Sequence, residues 1–577
     1  NNAVAVVSVW LALSVAYLLW RLRLGGAHGV TAAALSPAPA ESMPAWHGFA
    51  AAGIYTLLTG LIFVVSRNDY FSEQAYFLRR LFLALQGDRP YIDFEFAYGP
   101  AFILGPKLVA QVLAPLGVSA RGAYYLFYAA CSLAGIYLLY QLIRHLPLVR
   151  DRRVLVFWLL AIGLYYPFMG LNANILRFTA APAALLALHR LARDATGTSA
   201  YVRTGLGAVA LTIANFLLSP EFGIAFWVAS SAYLLHRVMI ARHALLGPLV
   251  VNVLAPVGVV WGLPAYMESV LTYGSGGAGL PVVPAPHILL YLFGLIAVLP
   301  PLAAQASSPG VGRDSLTLAA IALALALIPG ALGRCDPGHV LNYGLLSFLL
   351  VFAASRAWHP AAFRIYAAVF FVILVVGNQF TNLFVIKWDL LQGVYPHLQR
   401  YLSADAFHRS LHALGYTPDE TRSLWRELRA SGSPTPSLDG LLAFPAMGLP
   451  LIVDADEEHF LRVHQRLAPD YYLDNLNVFA QAQIDRKLRD TGMHDYVLVR
   501  SAYLYPPHLG ADCDWDTDWP HLERYLSVIF KYPMHLVRRN RIPYHGCQIL
   551  QYLAQHYDTV TEIDGHSVLR RRPGAAP

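Results

Sequence analysis

Charge is what this chain has least of. Asp, Glu, Lys and Arg together make up 13% of its 577 residues, against 56% that are hydrophobic, and the mean hydropathy is +0.46. A soluble protein of this size carries about a quarter charged residues, so that class is excluded and a membrane protein is implied. Cysteine is nearly as scarce. Four residues exclude a disulfide framework, and their spacing fits no zinc site. Cys131 falls inside an apolar run as inert packing, which leaves Cys513 and Cys547 as candidates for a pair if their region is extracytoplasmic. A basic stripe is missing too: the formal charge is +7, but Arg and Lys stand in twos and threes between apolar runs. That pattern excludes a nucleic-acid surface and marks the basic residues as topology signals. The first apolar run, Ala3 to Trp20, has Arg21 and Arg23 after it rather than before it, which excludes a cleaved signal peptide and predicts a retained span.

Apolar runs are abundant. A helix needs about 20 apolar residues to cross a bilayer, and that template predicts about 12 spans. They are Ala3 to Trp20, His47 to Val65, Ala123 to Ile143, Val154 to Met169, Ile175 to Leu191, Gly205 to Leu218, Phe222 to Met239, Leu245 to Leu263, His287 to Ala304, Leu316 to Leu332, Val340 to Ala354 and Ile365 to Val385. Alternate connections hold Arg144, Arg150, Arg152 and Arg153, then Arg190, Arg193 and Arg203, then Arg237 and Arg242, Arg313, and Arg356 with Arg364. The positive-inside bias assigns these to the cytoplasm. The other connections are the loop 66–121, a turn at Asn172, the turn Ser219-Pro220-Glu221, a Gly-rich loop near Tyr273, and Gly333 to His339. They face away from the cytoplasm, as do both termini.

Two domains follow: 1–386, a polytopic α-helical membrane domain, and 387–577, a soluble, mixed α/β domain outside the cytoplasm. In the long loop, Gln74, Leu78, Leu81, Phe82 and Leu85 share one helical face while Arg79, Arg80 and Gln86 fall on another, which predicts a helix in the membrane interface. Tyr98 to Leu113 is apolar but broken by Gly99, Pro100, Gly105 and Pro106, and predicts a second interfacial or re-entrant piece. Beyond 387, Thr417-Pro418-Asp419-Glu420 opens a helix with a capping box. Leu441 to Phe444, Leu451 to Val453 and Tyr496 to Val499 read as strands, and Glu457 to Arg466 and Val478 to Leu488 as helices. Asp564-Gly565 between two β-branched runs predicts a hairpin.

Residues that can carry chemistry cluster on the non-cytoplasmic side. Asp69, in Arg67-Asn68-Asp69-Tyr70, is placed at the membrane surface to deprotonate a hydroxyl, or equally to cap the helix that begins near Phe71. Asp93 and Glu95, two apart, share a face if the segment is extended, and are candidates for an acceptor or a divalent cation; the bland alternative is a solvated loop paired to Arg89. Arg334, Asp336 and His339 crowd a seven-residue loop between apolar runs. Arg and His are good donors to phosphate oxygens, and such groups are costly at bilayer depth without a role, although Asp336-Pro337-Gly338 alone explains a tight turn. Asn172 and Arg177 border another turn, and Glu221 a further one. Four polar turns on one face read as the walls of a cleft.

Asp69 after an early span, the Gly87 to Pro100 stretch of the form G-x-x-P-Y-x-D-F-x-F-x-Y-G-P, the turn from Asn172 to Arg177, the Ser-Pro-Glu turn at Glu221 and a C-terminal α/β region together resemble the GT-C superfamily of bacterial membrane glycosyltransferases. The resemblance implies an inner-membrane enzyme that takes a hexose or pentose from a polyprenyl-phosphate donor. The acceptor is a hydroxyl of an envelope glycan, lipid or protein at the periplasmic face. It implies Asp69 as general base, Arg334, His339 and Arg177 for the donor phosphate, and Asp93, Glu95 and Glu221 for acceptor or metal, with Asp336, Asn172 and Tyr98 supporting. The chain departs from the family pattern in an extra early span and in Tyr70, which stands where a second acid is usual, so Asp93 and Glu95 remain alternatives to Asp69. A lipid-linked glycan polymerase or ligase would place Arg and His in larger loops. A transporter or flippase would place ionisable groups at the midplane of repeated halves, and no internal repeat is visible.

Overall fold

A computed structural model describes residues 43–65, 72–165, 174–193, 195–240, 243–276, 286–307, 314–333, 337–379, 451–453, 471, 481–500, 544–563 and 566–574. Among these, eight helices are long and apolar enough to cross a membrane, nine if one bent pair counts as a single span. In chain order the helices are α1 (Trp46–Val65), α2 (Ser72–Gln86), α3 (Ala101–Leu113), α4 (Ala120–Arg144), α5 (Arg150–Gly163), α6 (Asn174–Arg193), α7 (Thr198–Leu218), α8 (Pro220–Ile240), α9 (Leu246–Gly262), α10 (Pro264–Gly276), α11 (Pro286–Ser307), α12 (Ser315–Ala326), α13 (Ile328–Gly333), α14 (Pro337–Tyr343), α15 (Leu345–Ala354) and α16 (Pro360–Phe370). The predicted span Ala3 to Trp20 lies outside the described residues. Of the predicted span Val154 to Met169, the part up to Gly163 lies in α5, a helix of 14 residues, and 166–169 lie outside the described residues. Val340 to Ala354 is α14 and α15, bent by 68°. The break falls at Gly344, where a Cβ would overlap the Val340 carbonyl oxygen and crowd the Tyr291 ring.

Sparse polar groups tie the apolar helices together, as they must where lipid offers no hydrophobic drive. Asn252 of α9 is buried. It accepts from Thr212 Oγ1 at 2.9 Å and donates to Ser230 Oγ at 2.9 Å and Ser231 Oγ at 3.0 Å, joining α7, α8 and α9. The basic connections gather at one end of the bundle: Arg152 donates to the Ser355 carbonyl, Arg190 to His145 Nε2, and Arg237 to the Arg193 carbonyl. Turns of one predicted sidedness therefore touch one another.

One expectation for the loop 66–121 changes. In α2, Leu78 and Leu81 of the predicted face are buried together with Phe77 and Ala84, Phe82 and Leu85 are half-buried, and Arg79 and Arg80 are buried as well. The Gly87–Tyr98 segment folds over α2 and covers Arg80. Arg80 pairs with Glu95 and lies 3.3 Å from the centre of the Tyr76 ring. The second piece is a helical stretch, Ala101–Leu116, about 24 Å long at 1.5 Å per residue and so short of the roughly 30 Å hydrocarbon core. Phe102, Ile103 and Ala110 pack inward while Leu104, Leu108, Val112 and Leu116, four residues apart, are exposed. A lipid-facing stripe on a sub-span helix is what an interfacial or re-entrant element requires. The Gly-rich loop near Tyr273 is also corrected: it begins with α10, whose first residue is Pro264, a favoured N1 residue.

The described C-terminal residues form a four-stranded sheet in the order β1-β2-β4-β3: β1 (Leu451–Val453), β2 (Tyr496–Arg500), β3 (Tyr557–Ile563) and β4 (His566–Arg571), with helices α17 (Gln481–Gly492) and α18 (Tyr544–His556). Strand β1 runs parallel to β2, whereas β3 and β4 are antiparallel, with Ile563 opposite His566 and a bulge between Thr559 and Thr561. The predicted hairpin, the strands at 451 and 496 and a helix over part of 478–488 match these elements; Leu441 to Phe444, Glu457 to Arg466 and the capping box at Thr417 fall outside the described residues. Side chains alternate across a strand, and both faces of this sheet are covered. Val497, Val499 and Leu569 pack with Ile484, Ile549 and Leu553 of α17 and α18. Leu498 and Val568 join the aromatic core of Phe77, Phe96, Tyr128 and Tyr266.

Candidate functional site

At the end of the bundle away from the basic turns, three connections meet. Arg177 projects from the first turn of α6, Ser219-Pro220-Glu221 joins α7 to α8, and Tyr343 ends α14. Pro220 begins α8 with the fixed φ that a helix start favours, and Glu221 in its first turn suits the positive end of the helix dipole. Arg177 is buried. Its Nε donates to Ser219 Oγ at 3.1 Å, and Nη2 donates to both Glu221 oxygens at 3.2 and 3.3 Å and to Tyr343 Oη at 2.7 Å. Glu221 also accepts from Ser219 Oγ at 2.5 Å and from Tyr343 Oη at 3.3 Å. The two side chains differ in access: that of Arg177 is 9% exposed and that of Glu221 is 43% exposed. The pair is therefore an exposed carboxylate backed by a buried guanidinium.

Tyr98 completes the site from the loop. The Arg177 guanidinium lies 5.0 Å from the Tyr98 ring centre, a cation–π distance. Gly99 makes this approach possible, because a Cβ there would overlap the Leu217 and Leu218 carbonyl oxygens at the end of α7. His339 stacks on Tyr343 at 6.0 Å with the rings 14° apart. Tyr98, Arg177, Glu221 and His339, singled out separately in the sequence, are thus brought to one place. Tyr343 was missed as a site residue, although it stands four residues after His339, and that spacing puts two side chains on one helical face.

Asp93 and Glu95 are not brought together. Asp93 lies in a turn, with its N–H donating to the Arg89 carbonyl at 2.9 Å, so the two acids do not stand along one extended face. Asp93 is exposed and receives the Arg89 backbone amide at 2.8 Å and Arg89 Nε at 3.0 Å. Arg89 holds its carboxyl below the usual range, chiefly through the side-chain hydrogen bond. Glu95 is buried. It accepts from Arg80 and from Tyr76 Oη at 3.0 Å, while Arg80 Nε donates to its backbone carbonyl at 3.0 Å. That arrangement straps the loop to α2 and leaves no shared cation site for the two acids; among the described residues no group of three or more His, Cys, Asp or Glu could hold a metal. Asp69, Asn172, Arg334 and Asp336 lie outside the described residues, as do Cys513 and the Cys547 side chain.

A second feature lies on the other side of the loop. Tyr91, Glu95, Ser269, Thr272, Tyr471 and Arg486 are among the residues around a cavity of about 280 Å³. Tyr91 Oη donates to the Tyr98 carbonyl at 2.5 Å, so one aromatic side chain connects this cavity to the segment beside Arg177. Burial pushes the Tyr91 phenol up, which keeps it a donor. Compared with protein-family models and with curated proteins, the chain matches none.

Proposed function

We propose that the chain is an inverting membrane glycosyltransferase of the GT-C type, moving a hexose or pentose from a polyprenyl-phosphate donor to an acceptor hydroxyl. The observation that carries this reading is the meeting of Tyr98, Arg177, Glu221 and the His339–Tyr343 pair from four separate segments at one end of an apolar bundle. A site there faces both lipid and water, as a substrate with a lipid tail and a sugar head requires. In this reading about 12 spans sit in a bacterial inner membrane, and 387–577 forms a periplasmic domain over the site.

The acceptor O–H gives its proton to the Asp69 carboxylate, the freed oxygen attacks the anomeric carbon, and the carbon–oxygen bond to phosphate breaks, leaving polyprenyl phosphate. Arg334 and His339 stabilise the charge that develops on that phosphate. Arg177 has a different role from the one the sequence suggested. Its charge is matched by Glu221, so it is a positioning residue that holds an exposed carboxylate toward the acceptor. With Ser219, Tyr343 and Arg177 already donating to it, Glu221 is suited to receive a hydroxyl hydrogen bond. Glu95 is paired with Arg80 and Asp93 with Arg89, which supports Asp69 as the base.

The test is in-vitro transfer from a panel of polyprenyl-phosphate sugars by the wild type, Asp69→Asn and Asp93→Asn. Removal of the base should lower transfer by at least about 100-fold in Asp69→Asn and leave Asp93→Asn near wild type. Full activity in Asp69→Asn would overturn the assignment of the base. No transfer from any lipid donor would overturn the reading itself.

A further inference from the structure

The cavity between the loop, α10 and the C-terminal residues has a lining whose chemistry specifies a ligand. One wall is α10, with Glu268, Ser269 and Thr272 one helical turn apart; the other carries Gln483 and Arg486 from α17, and Tyr91 and Tyr471 stand between them. The volume of about 280 Å³ is close to the lower end of the roughly 300–1,000 Å³ usual for small-molecule sites. Two carboxylates line the cavity, but Glu95 is already paired with Arg80; that leaves Glu268 against Arg486, so a free anion would meet Glu268 and a free cation Arg486. An apolar guest would set hydrocarbon against the buried Ser269 and against Glu268 and Arg486, which is costly. A neutral, hydroxyl-rich ring satisfies every wall. Carboxylate, amide and guanidinium groups can each engage vicinal hydroxyls through two atoms, and a tyrosine face covers the C–H side of a sugar.

The backbone supplies an independent observation. Tyr91 is the one non-glycine among the described residues with a positive φ, 68°. A bulky residue rarely adopts this conformation, which persists only where its surroundings over-determine it. Three hydrogen bonds do so: Tyr91 N to the Phe94 carbonyl at 2.9 Å, Tyr91 Oη to the Tyr98 carbonyl at 2.5 Å, and Tyr471 Oη to the Tyr91 carbonyl at 3.1 Å. Arg486 lies 3.7 Å from the Tyr471 ring centre, so the far wall is braced by the residue that lines it. Strain of this kind concentrates where a side chain must be held for a ligand.

We propose that this cavity is a binding subsite for a sugar residue of the acceptor glycan, with Tyr91 linking its occupancy to the segment that carries Tyr98 beside Arg177. The identification of the sugar as acceptor rests on the glycosyltransferase reading; the binding of sugar does not. The experiment is saturation-transfer NMR on the detergent-solubilised full chain with gluco-, galacto-, manno- and arabino-configured disaccharides as probes, comparing the wild type with Glu268→Gln and Thr272→Tyr. The first substitution is isosteric at an exposed position and the second fills the cavity, so a folding failure in one leaves the other informative. The subsite predicts saturation transfer to at least one disaccharide in the wild type, reduced at least five-fold in either folded variant. No transfer to any disaccharide in the wild type, or equal transfer in the folded variants, overturns it. Sugar binding without any lipid-donor activity would leave the subsite standing and remove the glycosyltransferase reading, so the two fail separately.

Discussion

Glu221→Gln removes a charge whose side chain is 43% exposed and strands Arg177, whose side chain is 9% exposed. Breaking a buried pair costs about 3–5 kcal/mol, because the remaining charge is uncompensated. Ser219 Oγ and Tyr343 Oη still accept from the guanidinium, and the Tyr98 ring still faces it, so the expected cost is at the lower end, about 3 kcal/mol. Arg177→Met is the gentler change. It keeps the apolar stem and leaves a carboxylate that reaches water and still receives Ser219 and Tyr343, for which about 1–2 kcal/mol is expected. The double variant has no stranded charge and should cost about 2 kcal/mol, well below the sum of the singles, since residues in one network couple by about 0.5–3 kcal/mol. Pulse proteolysis of the full chain in mixed micelles over a urea series measures all three. If Arg177→Met costs as much as Glu221→Gln, or the singles simply add, the picture of an exposed carboxylate backed by a buried cation is refuted.

Gly99→Ala should destabilise by about 1–3 kcal/mol, the usual cost of overpacking, because its Cβ would strike main-chain oxygens that cannot rotate away; unchanged thermal unfolding would contradict the close approach. Asn252→Ala loses three interhelical hydrogen bonds, and at the modest worth of such bonds in membranes should cost about 1–2 kcal/mol, readable by the same proteolysis. Asp93 has a depressed folded-state pKa, so its anchoring of Arg89 is fully present above the ordinary Asp range and is lost as pH falls through the depressed value. Arg89→Ala should therefore move Asp93 titration upward, toward about 3.9, in a carbon-13 NMR titration of labelled aspartate. No movement would show that Arg89 does not hold it.

Much of the helix pattern was legible because span length is imposed by the bilayer, and the breaks from that template each have a local cause. Val340 to Ala354 is uniformly apolar and reads as one helix, yet Gly344 lets it bend by 68°. Composition cannot register a bend. Arg79 and Arg80 read as a separate polar face because helical periodicity assumes water or headgroups on the polar side; here both are buried, and the Gly87–Tyr98 segment covers Arg80, which Glu95 neutralises. A different assumption failed for Asp93 and Glu95, whose shared face depended on an extended chain, whereas Asp93 sits in a turn closed on the Arg89 carbonyl. The turns at Arg177 and Glu221 were found because ionisable groups are rare beside apolar runs, but their mutual ion pair was not, since 44 positions separate them. Likewise, α10 was hidden by the glycines around Tyr273, though its Pro264 start was a signal.

The central claim is that a sugar is displaced from a lipid phosphate by direct attack of an acceptor hydroxyl. The measurement that tests it most directly is the anomeric configuration of the product made by the purified chain in proteoliposomes from a polyprenyl-phosphate donor of known configuration. A single displacement predicts a product of inverted configuration, formed together with free polyprenyl phosphate. A product of retained configuration, or no product while donor remains intact, would contradict it.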